Sequence, residues 1–417
     1  MTVMLTRWGE GDLALLERLN APEMTEHLGG PETTDEVRAR HARYLRLWET
    51  DEARTFRIDV DGQPAGSIGY WAVEHEGRPA WETGWSVLPE HQGRGVAGAA
   101  LRALIAELRT DGRRDLLVAY PGTDNAPSNA LCARAGFEPQ GEGTEPWRGG
   151  EFSFRVWALD MSPLQTSGSL EEELFDSATL DLGRWWPHYL PHWSSRAASA
   201  ARCRTGDGLE LRIDPDTPPW APECDPDVRV SHLQTGQFSG PVGSATGQHR
   251  FRDGLVVREG QAERRLWLPC FGVIEARLSA IRHPDAMVAF WPIGFEDRPE
   301  DSAEICIVEI FGRDVDDEGG WVSVGVKAHH DPRVRDDVER IRVSGDLTQP
   351  HDYAVEWTPE RMRFFVDGRW VKTVAQRIAY PVQLMLDVFE LPPATGERDL
   401  AALPHRFRVE HVRVWTA

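Results

Sequence analysis

Helical periodicity runs out near Leu174 and does not come back, and that change demands two unlike folds in one chain. Upstream, LALLERL and DEVRARHARYLRLW carry apolar residues at the spacing of an amphipathic helix. FRIDVDG, AGSIGYWAV and DLLVAY read as strands divided by Asp-Gly and Gly-rich turns. Such mixed runs make an α/β layer domain over residues 1–161. Downstream, LELRI, MVAFWPIGF, EICIVEIFG, WVSVGVKAH, DYAVEWT, VQLMLDVF and FRVEHVRVW follow one another as short runs joined by turns. That is the pattern of an antiparallel sandwich or jelly roll, here over 174–417. Between the two, SPLQTSGSLEEE (162–173) reads as a linker. The Pro- and Trp-rich piece from Trp185 to Trp220 reads as long loops framing a cleft.

Length agrees, since 417 residues are more than one hydrophobic core usually organises. A formal charge of -21 argues against nucleic acid or an anionic membrane as a general partner, because both need a basic face. It suits neutral sugars or cationic amines. The 5 cysteines are odd in number and form no C-x-x-C pair, so neither a disulfide framework nor a metal centre is expected. No apolar run approaches the ~20 residues that cross a bilayer. The start lacks a basic region followed by an apolar one, and a cytoplasmic location is expected.

In the first half, the run Trp85-Ser-Val87 leads through Gln92-Gly93-Arg94-Gly95-Val96-Ala97 into the helical AALRALIAEL. Two glycines let backbone N–H groups approach an anion, and a helix N-terminus adds about half a positive charge. This makes a pyrophosphate cradle, with a plain strand–helix turn as the alternative. The spacing is neither G-x-G-x-x-G nor a P-loop, which disfavours a dinucleotide or nucleoside triphosphate. Gln92-x-x-Gly95-x-Ala97 resembles the Q/R-x-x-G-x-G/A motif of GCN5-related N-acetyltransferases (GNAT). Asn125-Ala-Pro-Ser128, ending in Gly136-Phe137, is similar to that family's second block.

The GNAT resemblance implies acetyl-CoA as cosubstrate, its pyrophosphate held at Gln92, Gly93, Arg94, Gly95, Val96 and Ala97. It further implies that Asn125 and Ser128 lie near the pantetheine arm and that the backbone around Val87 meets that arm. A small-molecule amine is the expected acceptor, though these residues do not name it. The amine must lose a proton to attack a thioester, so a base is wanted. Glu82 is the candidate; an exposed strand glutamate is the other reading. Where many relatives carry a general-acid Tyr this chain has Cys132, leaving a relayed water or the departing thiolate to take the proton, unless Cys132 is simply a buried structural residue.

In the second half, Glu304-Ile-Cys306-Ile-Val-Glu309 sets two acids in an apolar run, which is costly unless they face a cleft. Residues five apart on a regular strand point to opposite faces. Glu304 and Glu309 converge only if one residue is bulged out near Ile307–Val308. Converged at about 5–5.5 Å, they would suit retaining glycoside hydrolysis.

The segment resembles the E-x-D-x-x-E strand of family 16 glycoside hydrolases. Phe271-Gly-Val-Ile-Glu275-Ala-Arg277, Met287 to Trp291, His351-Asp-Tyr353 to Trp357-Thr-Pro, Phe365-Val-Asp367-Gly368 and Val409 to Trp415 are similar to further family segments, in the same order. The resemblance implies a concanavalin A-like jelly roll acting on a β-linked glucan-type oligo- or polysaccharide. Glu304 would be the nucleophile, Glu309 the acid/base, and Trp291 a sugar platform, with Trp186 or Trp193 as further candidates. Cys306 stands where the family has a middle Asp that tunes the carboxylates. Lys327 or His329 would compensate, or else line the rim. Hydrolysis and binding without turnover both stay open.

Overall fold

The computed structural model describes residues 1–416 except 51, 149, 395 and 397. Among them no helix is long and apolar enough to cross a membrane. The chain divides into two compact units, Met1–Pro163 and Leu164–Ala417.

In the first unit the strands are β1 (Val3–Arg7), β2 (Ala53–Val60), β3 (Gln63–His75), β4 (Arg78–Val87), β5 (Leu116–Ala119), β6 (Glu138–Trp147) and β7 (Gly150–Asp160). They form one sheet in the order β1-β2-β3-β4-β5-β7-β6. The helices are α1 (Leu13–Leu19), α2 (Thr34–Leu47), α3 (Val96–Asp111) and α4 (Ala126–Arg134). Helix α2 starts at a reciprocal Thr33/Glu36 capping box, and α3 buries Val96, Ala100, Leu101, Leu104, Ile105 and Leu108 along one stripe. Strand β4 pairs with β3 along its whole length, from Arg78 to Val87. Against β5 it pairs, in parallel, only at Trp81 and Glu82. From Thr83 onward one edge of β4 is therefore open, a split at the middle of the sheet.

The second unit opens with β8 (Ser169–Glu173). Residues 169–173 are thus strand, correcting the reading of 162–173 as linker throughout. Three consecutive glutamates suggested a solvated tether, but β8 pairs antiparallel with the last strand, Glu172 takes an ion pair from Arg413, and an edge strand tolerates such charge. Next come β9 (Cys203–Arg204), β10 (Leu209–Ile213), β11 (Arg229–Gln234), β12 (Gly236–Gln237), β13 (Arg264–Arg265), β14 (Gly272–Leu278), β15 (Ala286–Gly294) and β16 (Glu304–Phe311). The rest are β17 (Gly319–Lys327), β18 (Asp337–Ser344), β19 (His351–Trp357), β20 (Met362–Val366), β21 (Arg369–Val374), β22 (Val382–Glu390) and β23 (His405–Thr416). One sheet runs β21-β20-β19-β14-β23-β10-β9 with β8 on β23, and the other runs β11-β22-β15-β16-β17-β18.

The two-domain reading stands: an α/β domain, then an all-β sandwich. Alternate residues of both large sheets, among them Ile274, Ile305, Val355, Phe364 and Leu386, fill one shared core. Trp357 belongs to it, its indole N–H donating to the Ile378 carbonyl at 2.9 Å. The Trp185–Trp220 piece, read as long loops, is irregular only in part: β9 and β10 lie within it and join the sheet through β23, and Trp185, Trp193 and Trp220 are fully buried.

Candidate active sites

In the first domain the Gly-rich run after β4 behaves as its composition requires. Gly93 and Gly95 adopt φ of 67° and 79°, the left-handed region where only glycine is unstrained, and Gly95 caps α3. A Cβ at either would meet nothing within 4 Å, so the loop faces open space. First-turn amides of α3, those of Val96 and Ala97, have no carbonyl one turn earlier to bond. The Gln92 side-chain amide donates to the Val87 carbonyl at 2.8 Å, tying the loop back to the end of β4. Arg94 is exposed on the loop. An anion would meet amides, a helix dipole and a guanidinium together. The open edge of β4 beyond Glu82 then offers unpaired backbone groups to an extended, amide-bearing chain, as a missing strand would. These features fit a pyrophosphate joined to a pantetheine arm.

Asn125 caps α4, its side-chain oxygen accepting from the Ser128 N–H at 3.1 Å. Asn129, which the sequence did not flag, is buried; it donates to the Gly122 and Asn125 carbonyls at 2.8 and 2.9 Å and accepts from the Trp157 indole at 2.9 Å, fixing this turn. Glu82 sits half-buried on β4, and burial raises its carboxyl pKa despite a hydrogen bond from the Trp71 side chain. Cys132 is fully buried, and burial pushes its thiol up to about 12. It is a core residue rather than a proton donor. Cys132→Ala is therefore expected to leave turnover within about twofold of wild type while costing roughly 1 kcal/mol of stability, measured by steady-state kinetics beside thermal melts.

In the second domain the bulge is present. From Cys306 to Glu309 the pairing of β16 with β17 moves from Gly325 to Ser323, three residues against two. Against β15 the same stretch takes one extra residue as well. The slip turns Glu309 onto the face that carries Glu304. Lys327 Nζ donates to Glu304 Oε1 at 3.0 Å and to Glu309 Oε2 at 3.0 Å. Those two oxygens are therefore separated by at most twice that distance, short of the roughly 6.5–9.5 Å that an inverting pair leaves for a water. Both acids and Lys327 line a cavity of ≈ 170 Å³, together with Cys306, His329 and Trp291.

Electrostatics in this cavity are set by burial and by Lys327. Glu304 is 4% exposed, and burial alone would raise its pKa. His329 Nε2, 2.8 Å from Oε2, and the Lys327 ammonium outweigh that and hold it at about 2. Burial works against the Lys327 charge, and Glu304 and Glu309 overcome it, so Lys327 titrates above the usual lysine range. Cys306, which burial holds firmly as the neutral thiol, donates only weakly, to the Ser323 carbonyl at 3.6 Å. Gly325 lies opposite Cys306, and a Cβ there would come within 2.0 Å of the Asp337 carbonyl. A short thiol facing a glycine leaves room for the lysine between the acids.

Trp291 lines the cavity and is 7% exposed, with its indole donating to Asp387 Oδ2 at 2.7 Å. Asp387 is fully buried on β22, 3.2 Å from His232 Nδ1, and burial raises its pKa well above the carboxylate range. Asp387, Tyr189 and His249 went unpredicted. Asp387 carried a readable signal, a lone acid in the apolar run VQLMLDVF; the other two sit in irregular loops that have no periodicity to read. The two extra sugar platforms are corrected. Trp193 is wholly buried, donating to the Gln248 carbonyl at 2.9 Å, and Trp186 is covered by the Arg264 guanidinium 3.8 Å from its ring centroid; neither lines the cavity.

Two family models match the chain: "Acetyltransferase (GNAT) domain" over residues 2–138 and "Glycosyl hydrolases family 16" over residues 267–393. The first domain is thus similar to GNAT acetyltransferases and the second to family 16 glycoside hydrolases. Among solved structures, a GlcNAcα1-4Gal-releasing endo-β-galactosidase from Clostridium perfringens is 24% identical with a TM-score of 0.52, covering 61% of this chain. The match spans 64% of that enzyme's own chain, less than two thirds. A laminarinase from Flavobacterium sp. UMI-01 is 18% identical over 59% of this chain and 99% of its own, TM-score 0.41. RimL, a ribosomal L7/L12 α-N-protein acetyltransferase in complex with coenzyme A, is 20% identical over 38% of this chain and 94% of its own, TM-score 0.34. A search of the curated proteins finds no match.

Proposed function

We propose that the GNAT domain acetylates a small-molecule amine and that the family 16 domain hydrolyses a β-linked glucan-type oligosaccharide with retention. Bound acetyl-CoA supplies the thioester carbonyl that is attacked. Gln92 to Ala97 hold the pyrophosphate with backbone amides, and the free edge of β4 aligns the arm. Glu82 takes the proton of the attacking amine, for which a carboxyl raised by burial is better suited than an exposed one. Glu82→Gln is expected to lower kcat by about 10²-fold with the KM for acetyl-CoA unchanged. Coenzyme A release measured with a thiol reagent checks this, and an unaltered kcat would leave Glu82 as an ordinary strand residue.

For the second domain the supporting observation is the Lys327 bridge between two glutamates on one face of β16. Glu304, ionised at all ordinary pH, serves as nucleophile; Glu309 gives its proton to the leaving oxygen; Trp291 stacks on the sugar. A second reading, glycan binding without turnover, is favoured by the same lysine and by Cys306: Glu309 must leave the Lys327 ammonium before it can act as an acid, and no middle carboxyl is present to help it. Reducing-end release from laminarin or lichenan, set beside Trp fluorescence titrations with the same glycans, separates the two readings.

A further inference from the structure

The sheet face that carries Glu82 is lined with aromatic rings and acids. Strand register sets Trp71 beside Glu82 on one edge of β4 and Val118 beside it on the other. Side chains alternate along a strand, so Trp71, His75, Glu82 and Tyr120 share that face. Trp71 is 38% exposed, and its ring lies over Gly84, where an added Cβ would come within 3.2 Å of it. Tyr120 bonds His75 Nδ1 through its hydroxyl at 3.0 Å and meets the Phe154 ring edge-on at 5.4 Å. On β6, Glu145 stands opposite Phe152, whose ring is 5.8 Å from Phe154; Glu76 follows His75 at the β3–β4 turn. Both glutamates are exposed.

Elsewhere in this domain arginines cover the indoles: Arg7 lies over Trp48, Arg113 over Trp81 and Arg148 over Trp147. Among the described residues no cation is placed over Trp71, Tyr120, Phe152 or Phe154. The cosubstrate loop, by contrast, presents Arg94. One end of the site is basic and suits a pyrophosphate; the other is acidic and aromatic, which suits an organic cation.

We propose that the acceptor is a small amine bearing at least one further positive charge, held by the rings of Trp71 and Tyr120 and by Glu76 and Glu145, with its reactive nitrogen at Glu82. This rests on the acetyl-transfer reading above. The reactive nitrogen gives its proton to the Glu82 carboxylate and its lone pair to the new C–N bond. The C–S bond breaks with its electron pair on sulfur. The second ammonium keeps its charge throughout and anchors the molecule, so it governs KM more than kcat.

The test uses the full chain and acetyl-CoA with four acceptors: spermidine, kanamycin, glucosamine and a neutral tripeptide amide with a free N-terminus. Spermidine and kanamycin separate a flexible from a rigid polycation. At least one should exceed glucosamine and the peptide by about tenfold or more in kcat/KM, with a preference that fades as salt rises. The double variant Glu76→Gln/Glu145→Gln should raise KM for that polycation about tenfold, leave its kcat in place, and leave glucosamine unaffected. Glucosamine or the peptide matching both polycations overturns the proposal while acetyl transfer stands. So does a double variant that weakens all acceptors alike. Turnover of no amine by a chain that still binds acetyl-CoA removes the acetyl-transfer reading as well.

Discussion

Glu304→Gln is expected to abolish release of reducing ends from laminarin or lichenan, a loss of about 10⁴-fold or more, as befits removal of a group that forms the covalent intermediate. The amide keeps the volume and can still meet His329, so the fold should survive. Glycan-dependent quenching of Trp291 fluorescence should survive too. Because Glu304 is held ionised down to about 2 by His329 and Lys327, against its burial, wild-type activity should not lose its nucleophile on acidification to about pH 4. Residual release in the variant equal to wild type would refute the assignment. A wild type that quenches without releasing reducing ends would point to the binding reading.

Lys327→Met is expected to destabilise the second domain at neutral pH. The variant leaves two carboxylates around a cavity with no cation between them, and breaking a buried ion pair from one side costs about 3–5 kcal/mol. Lys327 is a third exposed at its side chain, so water screens part of the interaction and about 2–3 kcal/mol is the better figure. For a unit of this size that is a drop in Tm of roughly 4–12 °C. The pH dependence carries the stronger signature. Glu304 has a folded pKa depressed from 4.5 to about 2, so in wild type its contribution is present above about 4.5 and is lost as pH falls through 2. Without the lysine only His329 still opposes burial, so the folded pKa rises from its wild-type value. The deficit between variant and wild type should therefore shrink as pH is lowered below about 4.5. A deficit that grows on acidification, or no deficit at neutral pH, would show that Lys327 does not hold the acids.

How much of this was legible beforehand can be traced residue by residue. The bulge was, because parity is arithmetic: two acids five apart in a strand can share a face only through an extra residue, and Ile307–Val308 is where the pairing slips. The anion cradle was legible because left-handed backbone demands glycine, and Gly93 and Gly95 supplied it. Register was beyond reach. That β4 loses its β5 partner after Glu82 depends on where β5 ends and on its pairing with β7, both of which are long-range. Trp193 was misjudged because a tryptophan's composition says nothing about whether its ring faces a sugar or a core. Asp387 was missed by inconsistency, since the cost argument applied to Glu304 applies equally to one acid in VQLMLDVF.

The pairing of Ser169–Glu173 with Thr416–Val412 bears on any attempt to produce the second domain alone. Cutting at Leu174, where the strand-rich texture begins, would strip the cover from half of the final strand. Val412, Arg413, Val414, Trp415 and Thr416 would then expose a bare row of amides and carbonyls, β-prone and ready to pair with the same row on another molecule. Such a fragment would be recovered as aggregate for reasons unrelated to its chemistry, whereas one begun a few residues before Ser169 should stay monodisperse.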